Sequence, residues 1–365
     1  MNSLIRREEL TAVLMGRAGD AMLWLLATIH VLALSVLFMT LLSLAPAHAA
    51  EEAISCGGVN VLAAMQSNDP EKYKALEKQA ALVPNGKGTL WRVEKTGQPP
   101  SFLMGTMHVT DPRVLKMPAG AQAAFDAAKI VIVESDEILD EKQVAASLMS
   151  KPELTMFLDG KSITDLLTKD NAARLEAGLK ERGIPLSAVS RMKPWMLASF
   201  VALPACEFTR KAQGASFLDK KIAEDAVAAG KQLVGLETLV EQLTAMSELP
   251  MEFHLQALIE TLEIGDKMQD IMATMTDLYM AGDIGMTMPM LESQAPSPPD
   301  ESDKEGYAAF EKRIITDRNH VMAERAATHL AQGGTFIAVG ALHLPGEEGL
   351  VELLRKQGFT VTSVQ

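Results

Sequence analysis

An α/β or α+β fold, with a mixed central sheet and helical insertions, is predicted for this chain from three features. The run Ile130-Val131-Ile132-Val133 is β-branched throughout, the composition of a strand buried on both faces. Segments of helical period three to four alternate with such short apolar runs, the pattern of strands interleaved with helices. One phrase is also written twice, an apolar strand followed by Gly-x-x-His. It occurs as Ser101-Phe102-Leu103-Met104-Gly105-Thr106-Met107-His108 and as Thr335-Phe336-Ile337-Ala338-Val339-Gly340-Ala341-Leu342-His343.

In chain order, 60–82 reads as one or two short helices and 84–88, Pro-Asn-Gly-Lys-Gly, as a loop. Residues 89–95 read as a strand joined by a 96–100 hairpin connection to the strand of the first motif. Asp111-Pro112-Arg113 is a turn, Pro118 opens a helix to about 129, and the 130–133 strand ends at Glu134. From 139 to 229 the pattern is helical, broken at Pro152, Gly160, Pro185, Pro194 and Pro204. The apolar strand 231–236 also ends in an acid, Glu237. A second helical block runs from 239 to about 281, and 289–306 reads as a loop or lid. A helix over 307–331 leads to the second motif, a helix at 348–357 and a last strand at 359–364. The halves, about 89–230 and 231–365, read as a distant internal duplication within one domain spanning 50–365. No short period recurs, so a solenoid is not supported.

Residues 1–49 carry Arg6, Arg7 and Arg17, an apolar run over 21–44, and Ala-Pro-Ala-His-Ala-Ala at 45–50. That is the layout of a signal peptide cut after Ala49, predicting a periplasmic or secreted protein. The apolar run is also long enough to span a bilayer, so the alternative is an inner-membrane anchor with the domain facing the periplasm. The chain carries a net charge of −13 without basic clusters, which argues against nucleic acid and against membrane contact other than through the leader. Its two cysteines, Cys56 and Cys206, are expected to form a disulfide in an oxidising compartment. Oligomeric state is not legible.

Chemistry concentrates at four strand ends. His108, Glu134, Glu237 and His343 each follow an apolar strand, where open α/β sheets place their ligands. Singly, each is an ordinary capping or solvated residue. Jointly, two imidazoles and two carboxylates are the ligand types of a divalent cation such as Zn²⁺ or Mn²⁺, and also of a general base with its orienting partner. No His-Glu-x-x-His helix is present.

The stretches Ser-Phe-Leu-Met-Gly-Thr-Met-His-Val-Thr-Asp-Pro-Arg at 101–113, Ile132-Val133-Glu134, Asp317-Arg318-Asn319-x-x-Met322, and Val-Gly-Ala-Leu-His-Leu-Pro-Gly at 339–346 resemble the TraB/PrgY/GumN family. The resemblance covers essentially 55–365. It implies an α/β fold with both His and the first-half Glu in one site, and for Tiki-like members metal-dependent proteolysis. By that resemblance His108, Glu134 and His343 take metal-binding or catalytic roles. The function expected is an exported metal-dependent hydrolase acting on peptides or a small molecule, using Mn, Co or Zn. Whichever of Glu134 and Glu237 does not bind metal would serve as base, with Arg318 and Asn319 holding a substrate carboxylate or an oxyanion. The alternatives are a non-catalytic protein that sequesters a peptide or haem, and an accessory factor in exopolysaccharide export. With three Trp and three Tyr, no carbohydrate-binding aromatic platform is evident.

Methionines crowd 246–290: Met246, Met251, Met268, Met272, Met275, Met280, Met286, Met288 and Met290. Thioethers suit Cu(I), but the helical spacing of Met268, Met272 and Met275 favours core packing.

Overall fold

Six strands form one sheet in the computed structural model, which describes residues 56–118, 120–295 and 301–364. The leader and the Ser-Pro-Pro-Asp stretch at 297–300 lie outside the described residues. The strands are β1 (Leu90–Glu94), β2 (Ser101–Thr106), β3 (Ile130–Val133), β4 (Gln232–Gly235), β5 (Thr335–Gly340) and β6 (Thr360–Ser363), in the order β4-β3-β5-β2-β1-β6. β4, β3, β5 and β2 are mutually parallel; β1 runs antiparallel to both β2 and β6. The fold is therefore α/β with a mixed sheet. The β1–β2 hairpin forms across the predicted Thr-Gly-Gln-Pro-Pro connection, with Leu90 opposite Met104 and Val93 opposite Ser101.

Alternation along the strands divides the core into two layers. Val131, Val133, Met104, Phe336 and Ala338 face the helices Ala121–Ala127 and Leu218–Ala228. Ile130, Ile132, Leu103, Ile337 and Val339 face the helices Asp317–Leu330 and Leu350–Lys356. Both faces of the central strands are thus covered, as the unbroken apolar run at 130–133 requires.

Two helical stretches differ from the sequence expectation. The 239–281 block divides into Leu239–Ser247, Met251–Ile264 and Lys267–Met280, broken at Pro250 and Gly265. The loop expected over 289–306 is shorter, because Thr287–Ser293 and Glu301–Phe310 are helical. Pro289 sits in the first turn of its helix, where a missing N–H is not needed for helical bonding. Met286 and Met290 are buried against Leu62, Leu76 and Ile271, with Met268 and Met275 beside them. These methionines are core; Met280 and Met288 are exposed.

Cys56 and Cys206 are joined in a disulfide. Among the described residues no helix is long and apolar enough to cross a membrane.

In the insertion, His254 is 3% exposed on the helix Met251–Ile264, near Trp195. Burial lowers its pKa, a bond to the Met246 backbone opposes that, and Lys193 adds to the lowering. The folded chain therefore refuses a proton that the unfolded chain accepts. Its contribution to stability is full above the ordinary His value of about 6.5 and declines as pH falls below it. Urea titrations at pH 7.5 and 5.5 are expected to show less acid loss in His254→Leu than in the parent. An equal loss in both would contradict the assignment.

Candidate functional site

The four chemical residues of the sequence leave the same edge of the sheet. β4, β3, β5 and β2 are adjacent and parallel, so their carboxyl ends deliver Glu237, Glu134, His343 and His108 in that spatial order. Neighbouring strands are about 4.8 Å apart, so the four ends fall along roughly 15 Å of one rim.

Both motif glycines are positions of close approach, and neither has a positive φ. A methyl group on Gly105 would lie 2.9 Å from Ala341 Cα, so the first motif rests directly on the second. One on Gly340 would stand 3.1 Å from Glu134 Oε1, 3.5 Å from His343 Cδ2 and 3.6 Å from His108 Nε2. The carboxylate and the two imidazoles thus surround one small space beside Gly340, which a side chain there would enter.

His343 lies on the single helical turn Ala341–His343 that follows β5, and it is 4% exposed. Its Nδ1 is 2.7 Å from Asn319 Oδ1, while Asn319 Nδ2 donates to the Glu348 carbonyl at 2.8 Å. The amide orientation fixed by that carbonyl assigns the imidazole proton to Nδ1, leaving the Nε2 lone pair free. Nε2 stands 3.8 Å from Glu134 Oε1. Burial holds the pKa of His343 down at about 4, against the opposing pull of Glu134, so it is neutral.

His108 follows β2, and its side chain is 55% exposed on the open side of the site. Its Nδ1 is 3.0 Å from Asp219 Oδ2, and Asp219 Oδ1 accepts from Thr106 Oγ1 at 2.6 Å. Phe217 meets the ring edge-on at 5.8 Å. Desolvation works against its charge, but Asp219 outweighs this and, with Glu134, raises the pKa to about 9.

Glu134 is 9% exposed and fully engaged. Oε1 accepts from the Gly340 N–H at 2.7 Å; Oε2 accepts from Arg318 Nη2 at 2.8 Å and Gln242 Nε2 at 3.3 Å. Burial disfavours its charge, yet His343, His108, Arg318 and the Gly340 N–H together hold it at about 2. Gln242 is delivered by the helix Leu239–Ser247, which starts at a capping box of Thr238 and Glu241 immediately after Glu237.

Glu237, 6% exposed, does not face open space. Arg318 Nε is 3.1 Å from each of its oxygens and Nη2 is 2.7 Å from Oε2. Nη1 of Arg318 donates to the Ile314 carbonyl at 3.3 Å. The guanidinium therefore spans the two glutamates, and the Asn319 amide is used between His343 and Glu348. The donors that the sequence reading directed at a substrate are committed within the protein.

Asp219, Gln242 and the Gly340 N–H escape sequence reading. Asp219 stands in the first turn of the helix Leu218–Ala228, where an acid ordinarily compensates the helix dipole. Only the fold brings it to His108.

Among the described residues no group of three or more His, Cys, Asp or Glu is placed to hold a metal ion as it stands. The donor chemistry nevertheless fits one. Each imidazole has its Nδ1 tied by a second residue, the support that metal-bound imidazoles receive; His108 borders the Gly340 space with Nε2 and His343 with Cδ2, its Nε2 standing 3.8 Å from Glu134 Oε1. Glu134 Oε1 adds an oxygen donor to the two nitrogens.

The description "TraB/PrgY/gumN family" belongs to a family model that matches residues 89–363. Among curated relatives, "Metalloprotease TIKI1" of Homo sapiens is 26% identical over 316 residues, covering 74% of this chain and 61% of that protein. "Metalloprotease TIKI homolog" of Nematostella vectensis is 24% identical over 326 residues, covering 77% and 68%, and "Metalloprotease TIKI1" of Danio rerio 25% over 315, covering 74% and 62%. The chain thus spans some three fifths to two thirds of these relatives' lengths. No solved structure matches it. With the match running from β1 to the end of β6 and taking in both Gly-x-x-His strands, the chain belongs to the TraB/PrgY/gumN family.

Proposed function

We propose that this chain is an exported, metal-dependent peptidase. In this reading His108, His343 and Glu134 hold a divalent cation, Mn, Co or Zn, beside Gly340. The observation that carries it is the approach of two imidazoles and one carboxylate to that single glycine, each imidazole tied through Nδ1. The names of the metalloprotease relatives support the reaction class. The disulfide supports an oxidising compartment such as the periplasm.

A bound cation supplies Lewis acidity, polarising a carbonyl and lowering the pKa of water. The rest falls to this chain's own residues. Asn319 fixes the His343 tautomer, and Asp219 orients His108 through Nδ1. Arg318 keeps Glu134 ionised and locks Glu237 in place, so Glu237 serves here as a support of the guanidinium. Glu134 Oε1 is the carboxylate oxygen turned toward the imidazoles, and it would be the oxygen donor to the cation.

Incubation with a diverse peptide library, with and without Mn²⁺, Co²⁺ or Zn²⁺, tests the reading. Cation-dependent cleavage is expected from the wild type and none from His108→Ala; equal cleavage by both would remove the peptidase assignment. Gly340→Ala is a sharper probe. Its φ of −51° suits any residue, so the melting temperature should move little, while the methyl enters the space between the three donors. A fall in cation affinity of at least about tenfold is expected by calorimetry. Unchanged affinity would place the cation elsewhere.

A further inference from the structure

We infer that Glu207 is a positioning residue for His108 and that the Cys56–Cys206 disulfide anchors it. The inference rests on the reading of His108 as a cation ligand.

His343 and Glu134 are buried and held on several sides, whereas the His108 side chain is itself exposed, just beyond β2 and ahead of buried Val109 and Thr110. A ligand so placed keeps its geometry only if the loop carrying it is tied down. Asp219 holds the ring. The backbone is held two residues further on, where the Thr110 N–H and Oγ1 both donate to Glu207 Oε2, at 2.8 and 2.9 Å. Thr110 is 2% exposed and Glu207 3%, so this double bond to one carboxylate oxygen is sealed from water. Arg210 Nη1, 3.3 Å from Oε1, balances the charge.

Glu207 belongs to the short helix Ala205–Ala212, and its neighbour Cys206 is the cysteine bonded to Cys56. The segment after Cys56 is fastened in turn to the helix Lys267–Met280. Val59 N donates to Asp270 Oδ1, Val61 N to Thr274 Oγ1, and Asn60 Nδ2 to Asp277 Oδ2. Arg113, in the same loop as His108, reaches the other oxygen of Asp277 at 3.0 Å. The same helix places Tyr279 Oη on the Gly105 carbonyl at 3.0 Å. Disulfide, Glu207 and Thr110 thus form one continuous path to His108, closed by a helix that touches the loop at both ends. No step of the path touches the space beside Gly340. Glu207 therefore acts through the placement of His108 and not on a substrate.

Calorimetric titration of the full chain with Mn²⁺, Co²⁺ or Zn²⁺ tests this, after melting curves establish folding. Glu207→Ala is expected to lower cation affinity about tenfold or more, the range found when a ligand's support is removed. Glu207→Gln, whose amide oxygen still accepts from Thr110, should recover most of that loss. Cys56→Ser with Cys206→Ser should weaken binding as well, and Glu207→Ala added to it should cost less than it does alone, because both act on one path. A folded Glu207→Ala with wild-type affinity overturns the positioning role. Should that variant not fold, a Gln variant as weak as His108→Ala, or a disulfide-free protein of wild-type affinity, overturns it instead. His108→Ala separates the two levels: if it binds cations normally, the site reading itself fails; if it alone loses binding, only the role of Glu207 fails.

Discussion

Replacing Cys56 and Cys206 together by Ser is expected to lower the stability of the chain by about 3–5 kcal/mol. The bridge closes a loop of 150 residues, for which chain entropy alone gives about 5 kcal/mol. It also fastens a segment with little core of its own. Of the helix Val61–Asn68 only Leu62 is buried, so the segment depends on Asn60, Val59 and Val61 bonding to the helix Lys267–Met280. Urea unfolding of the oxidised wild type and the double variant at neutral pH measures the difference. A change below about 1 kcal/mol would mean that those hydrogen bonds hold the segment without the covalent link.

Glu134→Ala is the second large effect, and it acts on stability and binding together. The substitution removes the acceptor of the Gly340 N–H and one of the two carboxylates facing half-buried Arg318. Arg318 retains Glu237, so the cost is that of a partly broken buried network, about 2–4 kcal/mol. Glu134→Gln keeps the shape and an acceptor for Gly340 but loses the charge. Its amide –NH2 then faces Arg318 Nη2 and Gln242 Nε2, so the variant is expected to be destabilised, though less than Glu134→Ala, while cation affinity falls by more than about 100-fold. If the Gln variant binds cations as the wild type does, Glu134 is a structural partner of Arg318 and not a ligand.

The sequence made the strand ends legible because the apolar runs at 130–133, 231–236 and 335–340 are short, β-rich and closed by Gly or an acid. The close approach that Gly permits proved to be the operative property of both motifs: Gly105 rests on Ala341, and Gly340 makes room for Glu134 and the imidazoles. What could not be read was the order of strands. β5 inserts between β3 and β2, and this sets His343 between Glu134 and His108. That placement depends on long-range pairing, which local pattern does not encode. For the same reason Arg318 read as a residue available to substrate, although it bridges Glu134 and Glu237, and Asp219 went unnoticed. Glu207 escaped notice because its significance lies in Thr110, far away in sequence. The loop expected over 289–306 was misjudged from its prolines, since Pro289 occupies a turn of helix that tolerates it.

The central proposal is that His108 and His343 converge on one cation. Metal analysis tests it most directly, on wild type, His108→Ala and His343→Ala purified without added metal and dialysed separately against Mn²⁺, Co²⁺ or Zn²⁺. One cation per chain in the wild type and marked loss in both folded variants is the predicted result. Metal content unchanged in both variants would contradict it.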